Sequence, residues 1–307
     1  MTHTKKYHGV VIPAVTPLTA DYKLDHAAVE KMFANFHRHG AMPFILGTTG
    51  EAASLPLAVK HDYVTTAVKY KAPGVVLYAG ISSNCLEESI ALAKHCFDTG
   101  VDVVAATLPT YYALTARDMQ YYFEQLADKV PGPLVIYNIP ATTHMSIPLQ
   151  LIDALSHHPN IVGAKDSERS EERLKESLSL WSKREDFSHF LGWAGKSAVA
   201  LMGGSDGLIP STGNFHPGLY SEMYKAVLDG DEEKAMQLQE LSDVLGNLYQ
   251  SGRLLGDSLA ALKVIMKHAG LCREHMMPPL QALDDKETNL LLQELAEIME
   301  EERISSF

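Results

Sequence analysis

The sequence predicts an α/β fold, namely a (β/α)8 TIM barrel with a C-terminal helical extension. Eight short apolar runs alternate with helix-like patterns from start to end, which is typical of a parallel sheet covered by helices. Several runs are apolar on both faces, as strands between a barrel interior and a helix layer must be. The 307 residues accommodate one barrel of about 250 residues and further helices. We expect residues 1–230 to form the barrel that carries the active site, and residues 231–307 to form helices packed on it.

The elements can be placed in order along the chain. The segment from Val29 to Phe36 shows the i, i+3, i+4, i+7 apolar spacing of a helix with one buried stripe, and similar segments separate the strands. The predicted strands are Gly9–Val15, Pro43–Leu46, Val75–Ala79, Val101–Thr107, Leu134–Tyr137, Ile161–Lys165, Phe187–Leu191 and Gly207–Ile209. The predicted helices of the extension are Asp231–Tyr249, Ser258–Ala269 and Lys286–Glu302, the last preceded by a capping-box pair, Asp284 and Glu287.

The composition excludes several classes of protein. The net charge of −12, from 26 basic and 38 acidic residues, provides no attraction for nucleic acid or an anionic membrane surface. The cysteines, at 85, 96 and 272, lack CxxC spacing and predict neither a disulfide framework nor a zinc ribbon, which suits the reducing cytoplasm. The polar start, Met1–His8, and two nearby prolines predict no targeting segment. The histidines form no HExxH motif, so we expect no metal cofactor.

Lys165 is the first candidate for chemistry, because it ends the apolar strand that begins at Ile161. The period of two places Ile161, Gly163 and Lys165 on one face of the strand. If that face lines the barrel, burial disfavours the ammonium and lowers its pKa, which frees the amine to attack a carbonyl carbon and form an imine. A lysine that simply reaches solvent at a strand end is the alternative, which this motif alone leaves open.

Tyr137 ends the preceding strand in the corresponding place. Neighbouring strands lie about 5 Å apart, so groups at the carboxyl ends of strands five and six can approach the same substrate atom. Imine formation and carbon–carbon cleavage both need a proton shuttle, and a phenol beside the imine can serve as one. A buried core tyrosine with a satisfied hydroxyl is the alternative.

Two glycine-containing stretches are candidates for anion binding. The first, Gly47–Glu51 (GTTGE), follows strand two, and its glycines, N–H groups and two threonine hydroxyls suit a carboxylate, although an ordinary structural turn is equally compatible. The second, Gly203–Gly207 (GGSDG), resembles the phosphate cradles found between strands seven and eight of other barrels, but the carboxylate of Asp206 argues against an anion there.

Taken together, these motifs resemble the dihydrodipicolinate synthase and N-acetylneuraminate lyase superfamily of class I pyruvate-dependent aldolases. GTTGE at 47–51, YNIP at 137–140, GAKDS at 163–167 and GGSDGLIPSTGN at 203–214 occur in the order and near the spacing of that family. The resemblance runs from about Tyr7 to the C-terminal helices. It implies that Lys165 is the Schiff-base nucleophile, that Tyr137 is the proton shuttle, and that Thr48 and Thr49 link the shuttle to the substrate carboxylate.

The same resemblance implies further features of the site. Tyr111, or Tyr112 one residue later, corresponds to a tyrosine that family members insert into the site of a neighbouring subunit. Ile209 resembles the family's apolar contact to the pyruvoyl group, and Gly47 belongs to the carboxylate-binding turn. These correspondences imply a homo-oligomer, either a dimer or a tetramer, that acts on a small 2-oxo acid. No cofactor is implied beyond the lysine imine itself.

Departures from the family pattern bear on the substrate. Lysine-pathway synthases carry an arginine two residues after the YNxP proline, where this chain has Thr142, which offers no bidentate charge for a second carboxylate. Sialate lyases carry an acidic pair after a Gly-Tyr, where this chain has Gly192 and Trp193. Trp193 and His144 indicate a smaller or flatter aldehyde portion, and nothing explains Pro210, which replaces a small hydroxyl residue.

We therefore expect an aldolase that cleaves or condenses a 2-oxo-3-deoxy acid, giving pyruvate and an aldehyde. A dehydratase or deaminase, or a synthase of the dihydrodipicolinate type, would use the same imine and break or form a different bond. A more remote alternative is a sensor that binds a 2-oxo acid without turnover. Such a sensor would have no need of a proton shuttle.

Overall fold

The computed structural model describes residues 5–304 and Phe307. Over these residues the predicted fold is confirmed, because eight parallel strands form a closed barrel in the sequential order β1 to β8. The strands are β1 Gly9–Pro13, β2 Met42–Ile45, β3 Tyr78–Gly80, β4 Val103–Ala106, β5 Leu134–Asn138, β6 Ile161–Asp166, β7 Ser188–Leu191 and β8 Gly207–Leu208. Met1–Thr4 of the polar start, and Ser305–Ser306 at the other end, lie outside the described residues.

Helices cover the barrel and continue beyond it. They are α1 His26–Arg38, α2 Leu57–Tyr70, α3 Leu86–Thr99, α4 Ala116–Lys129, α5 Pro140–Thr143, α6 Leu149–Leu155, α7 Glu171–Trp181, α8 Ser197–Met202, α9 Pro217–Asp229, α10 Glu232–Gln250, α11 Leu255–His268 and α12 Asp285–Glu301. Within the described residues, none of them combines the length and the apolar character needed to cross a bilayer.

The alternation of side chains along each strand separates two hydrophobic clusters. Residues 103 and 105 of β4 belong to an inner cluster, whereas residues 104 and 106 pack in the larger layer between the strands and the helices. This separation follows from the period of two, which sends neighbouring side chains to opposite faces of a strand. We call the first group the inner cluster; its members are Tyr7, Val11, Phe44, Tyr78, Val103, Ala105, Val135, Tyr137, Ile139, Phe190 and Ile209.

The extension consists of α10, α11 and α12. The predicted capping box at the start of α12 is confirmed, since Asp284 Oδ1 accepts from the backbone N–H of Glu287 at 2.8 Å and Glu287 Oε2 accepts from that of Asp284 at 3.3 Å. Leu291 and Leu295 of α12 are buried. The boundary predicted after residue 230 falls between α9 and α10, and the division into two units stays a prediction.

The GGSDG stretch lies at the amino-terminal end of the barrel. It joins α8 to the start of β8, and Asp206 forms a buried ion pair with Lys5, with 2.8 Å between Oδ2 and Nζ. The same oxygen accepts from the backbone N–H of His189 at 2.8 Å. The interpretation of this loop as a phosphate cradle is therefore wrong, because the loop lies at the end of the barrel opposite to Lys165 and already holds a paired carboxylate.

Candidate active site

Lys165 and Tyr137 lie side by side at the carboxyl ends of β6 and β5. They are register partners in the parallel ladder, and only 3% of Lys165 and 4% of Tyr137 is exposed. The Lys165 Nζ lies 3.9 Å from the centroid of the Tyr137 ring and 4.9 Å from that of Phe44. The amine is thus held against two aromatic faces inside the barrel and away from bulk water.

This environment changes the acidity of both groups. Burial lowers the pKa of the Lys165 amine, although the neighbouring Tyr137 oxygen opposes the shift by charge and hydrogen bonding. Burial by itself raises the pKa of the Tyr137 phenol, but the Lys165 cation and hydrogen bonds from Thr48, Lys165 and Ser167 outweigh it and lower that pKa. The pKa of each group therefore depends on the charge of the other, so that a change in protonation of one is felt by its neighbour.

The GTTGE turn brings the two threonines to this pair. Thr48 Oγ1 lies 3.3 Å from Tyr137 Oη, and Thr49 is half-buried beside it. The turn is closed by hydrogen bonds from Gly50 N to Gly47 O at 3.1 Å and from Glu51 N to Thr48 O at 3.0 Å. Among the described contacts, the N–H groups of Thr48 and Thr49 have no acceptor in the protein. The two N–H groups and the Thr49 hydroxyl therefore remain to bind a carboxylate, while the Thr48 hydroxyl contacts Tyr137.

Close packing against β3 fixes the position of this turn. Gly80 ends β3, and a Cβ placed on it would lie 2.0 Å from the carbonyl oxygen of Leu46, so only glycine fits. Leu46 itself has a φ of 55°, in the left-handed region that is costly for a residue with a branched side chain. On the other side, Thr16 Oγ1 donates to Gly50 O at 2.6 Å. The turn is thus clamped between the ends of β1 and β3.

The remaining predicted residues divide into two groups. Ile209 follows β8 and belongs to the inner cluster, and Gly47 packs beside the ring of Phe44, so both lie in the same interior as Lys165. Tyr111 lies on the loop after β4 with 77% of its surface exposed, and no described contact joins it to Lys165. Tyr112 is exposed to a similar extent. Entry of either tyrosine into a neighbouring subunit's site stays a prediction.

An outward-facing pair of side chains ties the ends of β5 and β6 together. Asn138 and Asp166 directly follow Tyr137 and Lys165, and they point to the opposite face of the sheet. Asn138 Nδ2 donates to Asp166 Oδ1 at 3.1 Å, and Asn138 Oδ1 accepts from the N–H of Ile147 at 3.0 Å. We call this pair the strand clamp. Sequence reasoning missed it, although the YN and KD letters of the motifs contained the signal.

Further charged groups complete the surroundings of the strand clamp. Arg173 of α7 donates from Nε to Asp166 Oδ2 at 2.6 Å, and Asn138 Nδ2 also donates to Glu168 Oε2 at 3.0 Å. Burial raises the pKa of Asp166, while the cation of Arg173 and the hydrogen bonds from its neighbours oppose the shift. The network joins two strands to α7, so the ends that carry Tyr137 and Lys165 cannot separate without breaking several buried polar contacts.

Ser167 is a second residue that sequence reasoning did not single out. Its hydroxyl contributes to lowering the pKa of the Tyr137 phenol, as does the hydroxyl of Thr48. A Cβ on Gly192, which follows β7, would lie 2.1 Å from Ser167 Oγ, so glycine at that position leaves room for the hydroxyl. The phenol is therefore flanked by two hydroxyls that can pass a proton.

The three positions that depart from the family pattern, Thr142, His144 and Trp193, follow the carboxyl ends of β5 and β7. Thr142 uses its hydroxyl within its own turn, donating to Ile139 O at 3.3 Å. His144 is exposed and has a φ of 57°. Trp193 is half-buried, with Lys196 Nζ lying 5.7 Å from the centroid of its ring.

Comparisons with known proteins agree with the geometry. The model of the dihydrodipicolinate synthetase family matches residues 6–298. An uncharacterized DapA-like lyase of Thermococcus kodakarensis is 31% identical over 288 residues, which cover 91% of this chain and 95% of that protein. A 4-hydroxy-tetrahydrodipicolinate synthase of Methanosarcina mazei is 28% identical over 294 residues, covering 95% and 98%.

Solved structures show the same likeness. The dihydrodipicolinate synthase of Bacteroides thetaiotaomicron superposes with a TM-score of 0.90 at 25% identity, covering 97% of this chain and 100% of that one. YagE of E. coli K12, a prophage protein of the dihydrodipicolinic acid synthase family solved in complex with pyruvate, has a TM-score of 0.90 at 26% identity, covering 95% and 99%.

The strand clamp can be tested without a substrate. We expect Asn138→Ala to lower the free energy of unfolding by about 1–3 kcal/mol, because Asp166 and the N–H group of Ile147 each lose a buried hydrogen-bond partner. We also expect water to reach Lys165 and raise its pKa toward the ordinary value, measured as the pH dependence of acetylation of Lys165 by mass spectrometry. Asn35→Ala, which removes a buried amide on α1, is the control. Identical acetylation profiles for the two variants would show that the clamp does not act on Lys165.

Proposed function

This chain belongs to the dihydrodipicolinate synthetase family, and from that membership we propose that it is a lyase whose Lys165 forms a Schiff base with a small 2-oxo acid such as pyruvate. The observation that carries the proposal is the position of the Lys165 amine, buried against the ring of Tyr137 at the carboxyl end of the barrel. That end holds the active sites of TIM-barrel enzymes. The pyruvate complex of the similar protein YagE adds support.

Imine formation begins with attack of the neutral Lys165 amine on the C2 carbonyl carbon of the 2-oxo acid. The carbonyl oxygen takes up a proton from the Tyr137 phenol, which gives a carbinolamine. The phenolate regains a proton from the amine nitrogen, and the hydroxyl then leaves as water with a proton from the phenol. The lowered pKa of Lys165 suits the attack, because the amine must be neutral. The iminium that follows is a cation in the place of the ammonium, and such a cation lowers the pKa of the phenol.

Cleavage uses the iminium as an electron sink. Tyr137 takes the proton from the C4 hydroxyl, the C3–C4 bond breaks, and its electron pair moves toward the nitrogen to form an enamine while an aldehyde leaves. Protonation of C3 restores the iminium, and hydrolysis releases pyruvate and the free amine of Lys165. Condensation is the same sequence in reverse. The two hydroxyls beside Tyr137, those of Thr48 and Ser167, are placed to exchange the proton with the phenol.

The GTTGE turn would hold the substrate carboxylate. The N–H groups of Thr48 and Thr49 and the hydroxyl of Thr49 supply three donors, and Gly47 allows the close approach of the backbone. Ile209 would contact the C3 carbon from the apolar side of the interior. Orienting the carboxylate in this way presents C2 to the amine, which converts a bimolecular attack into one between positioned groups.

The partner of pyruvate is best described as a short aldehyde without a second carboxylate. Thr142 supplies no charge, in contrast to the arginine that lysine-pathway synthases carry there, and the half-buried Trp193 offers no carboxylate to hold the hydroxyls of a sugar chain. We therefore favour a 2-oxo-3-deoxy acid as substrate over the reaction of the 4-hydroxy-tetrahydrodipicolinate synthases to which the chain is similar. A dehydratase or deaminase that uses the same imine is the second candidate, and a non-catalytic sensor is disfavoured by the Tyr137–Lys165 pair.

The Schiff base has a direct chemical test. Borohydride added in the presence of pyruvate should attach a reduced pyruvyl group to Lys165, seen as a mass increase on the peptide that contains it. The rate of trapping should rise with pH through a pKa below the ordinary lysine value, since burial disfavours the ammonium.

The Tyr137→Phe variant should trap pyruvate about 10²–10⁴-fold more slowly. Lys263, which is also buried but is ion-paired, is the internal control. An unmodified Lys165 at saturating pyruvate would refute the mechanism.

A substrate panel separates the aldolase from its rivals. We expect pyruvate release from a 2-keto-3-deoxy sugar acid, measured with lactate dehydrogenase, and little from N-acetylneuraminate. The panel includes 4-hydroxy-2-oxoglutarate, whose second carboxylate tests the consequence of Thr142. A chelator should leave the rate unchanged, because the imine is proposed to need no metal. Loss of water or ammonia from these acids without pyruvate release would favour the dehydratase or deaminase.

We also propose that the enzyme acts as a homo-oligomer, a dimer or a tetramer. The support is the adjacent pair Tyr111 and Tyr112, whose rings form an edge-on contact while both remain largely exposed. Sedimentation equilibrium should give a multiple of the chain mass. Tyr111→Ser should lower turnover more than Tyr121→Ser, a control at an exposed tyrosine on α4. A fully active monomer would contradict this assignment.

A further inference from the structure

Glu51, the last residue of the GTTGE turn, forms a fully buried ion pair with Lys263 of α11. The exposed fractions of the two side chains are 0% and 1%, and the residues lie 212 positions apart in the chain. The barrel and the C-terminal extension are thus joined by a charged contact made by the residue two positions after Thr49. Neither residue takes part in the mechanism described above.

Both partners are anchored by a second contact. Glu51 Oε2 accepts from the backbone N–H of Met277 at 2.7 Å, while Oε1 contacts Lys263. The Lys263 Nζ also donates to the carbonyl oxygen of His275 at 2.7 Å. One carboxylate therefore binds α11 and the segment that follows it at the same time. We call this arrangement the carboxylate tether.

The carboxylate tether is attached to the turn at a residue with an unfavourable backbone conformation. Glu51 has a φ of 56°, in the left-handed region, which a residue with a side chain keeps only where its surroundings hold it. Its N–H donates to Thr48 O at 3.0 Å, so the orientation of Glu51 is coupled to that of Thr48. Releasing the side chain of Glu51 would allow the turn to relax and would move the Thr48 hydroxyl away from Tyr137.

The chemistry of the pair favours a positioning role over a merely stabilising one. Two charges removed from water are costly, and apolar side chains of similar volume often stabilise a core as well. Once formed, a buried ion pair restricts the positions of both side chains, because leaving either charge without its partner is strongly unfavourable. Here one restricted side chain belongs to the turn whose backbone presents the N–H groups of Thr48 and Thr49.

We propose that Glu51 and Lys263 are positioning residues, through which the C-terminal extension sets the carboxylate-binding turn of the active site. This inference rests on the proposed function, in which that turn binds the carboxylate of pyruvate. The extension then supplies a part of the active-site support, in addition to the packing that its apolar stripes provide.

The test measures pyruvate binding separately from chemistry. Borohydride trapping at Lys165 is followed against pyruvate concentration in the full-length protein and in Lys263→Met. We expect the half-saturating concentration to rise about tenfold, the effect of losing one hydrogen-bonded carboxylate contact. The rate at saturation should fall by a smaller factor, because Lys165 and Tyr137 stay in place. Equal half-saturation in Lys263→Met and the parent would overturn the proposal.

Two further variants keep the test decisive if Lys263→Met does not fold. Glu51→Gln combined with Lys263→Met removes both charges and leaves no unpaired ion, and Glu51→Asp keeps both charges but shortens the tether by one methylene. Each should raise the half-saturating concentration. A folded variant of either kind with the parental value would also overturn the proposal.

Lys5→Met is the matched control, because it breaks the other buried lysine–carboxylate pair described above, that with Asp206 at the amino-terminal end of the barrel. It should lower the melting temperature without changing half-saturation. If the half-saturating concentration of Lys5→Met rose as much as that of Lys263→Met, the tether would only stabilise the fold. That result would overturn the proposal. If the parent protein traps no pyruvate at all, the proposed function fails instead.

Discussion

The contact between the Lys165 amine and the ring of Tyr137 is the feature on which the rest of this structure depends. An amine in water is an ammonium at neutral pH, and it becomes a nucleophile only where burial disfavours the charge. The barrel provides that burial, since Phe44 and the other members of the inner cluster line the interior around the amine. Only 3% of Lys165 is exposed. The Tyr137 phenol lies against the amine and can donate or accept the proton. Separation of the ends of β5 and β6 would admit water and allow the pKa of the Lys165 amine to return toward its ordinary value.

The inward faces of β5 and β6 carry the reactive side chains, and their outward faces carry the side chains that hold the two strands together. Tyr137 and Lys165 point inward as register partners, and the next residues, Asn138 and Asp166, point outward and bond to each other. A period of two makes this division unavoidable, because a residue that follows an inward side chain must face the helices. Asn138 and Asp166 therefore have a specific role of their own, which is to hold together the strand ends that carry Tyr137 and Lys165.

The two ends of the barrel each contain a buried lysine–carboxylate pair, with different consequences. Lys5 and Asp206 join the start of the chain to the loop before β8, at the end that contributes to stability in barrels of this kind. Glu51 and Lys263 lie at the opposite end, behind the turn that carries Thr48. The same type of interaction thus supports the fold at one end and, we propose, orients substrate-binding groups at the other. The extension is consequently coupled to the site.

The sequence by itself determined the fold class, the eight strands and the shared carboxyl-end position of Tyr137 and Lys165, because periodicity and strand order are local properties of the chain. It also predicted the capping box of α12, whose two residues are three apart. Only the tertiary structure decided that Asp206 meets Lys5, that Asn138 meets Asp166, and that Glu51 meets Lys263. The reason is that closure of the barrel and docking of the extension bring distant residues together, 201 and 212 positions apart for the two ion pairs, and no local pattern encodes which distant charge becomes the partner.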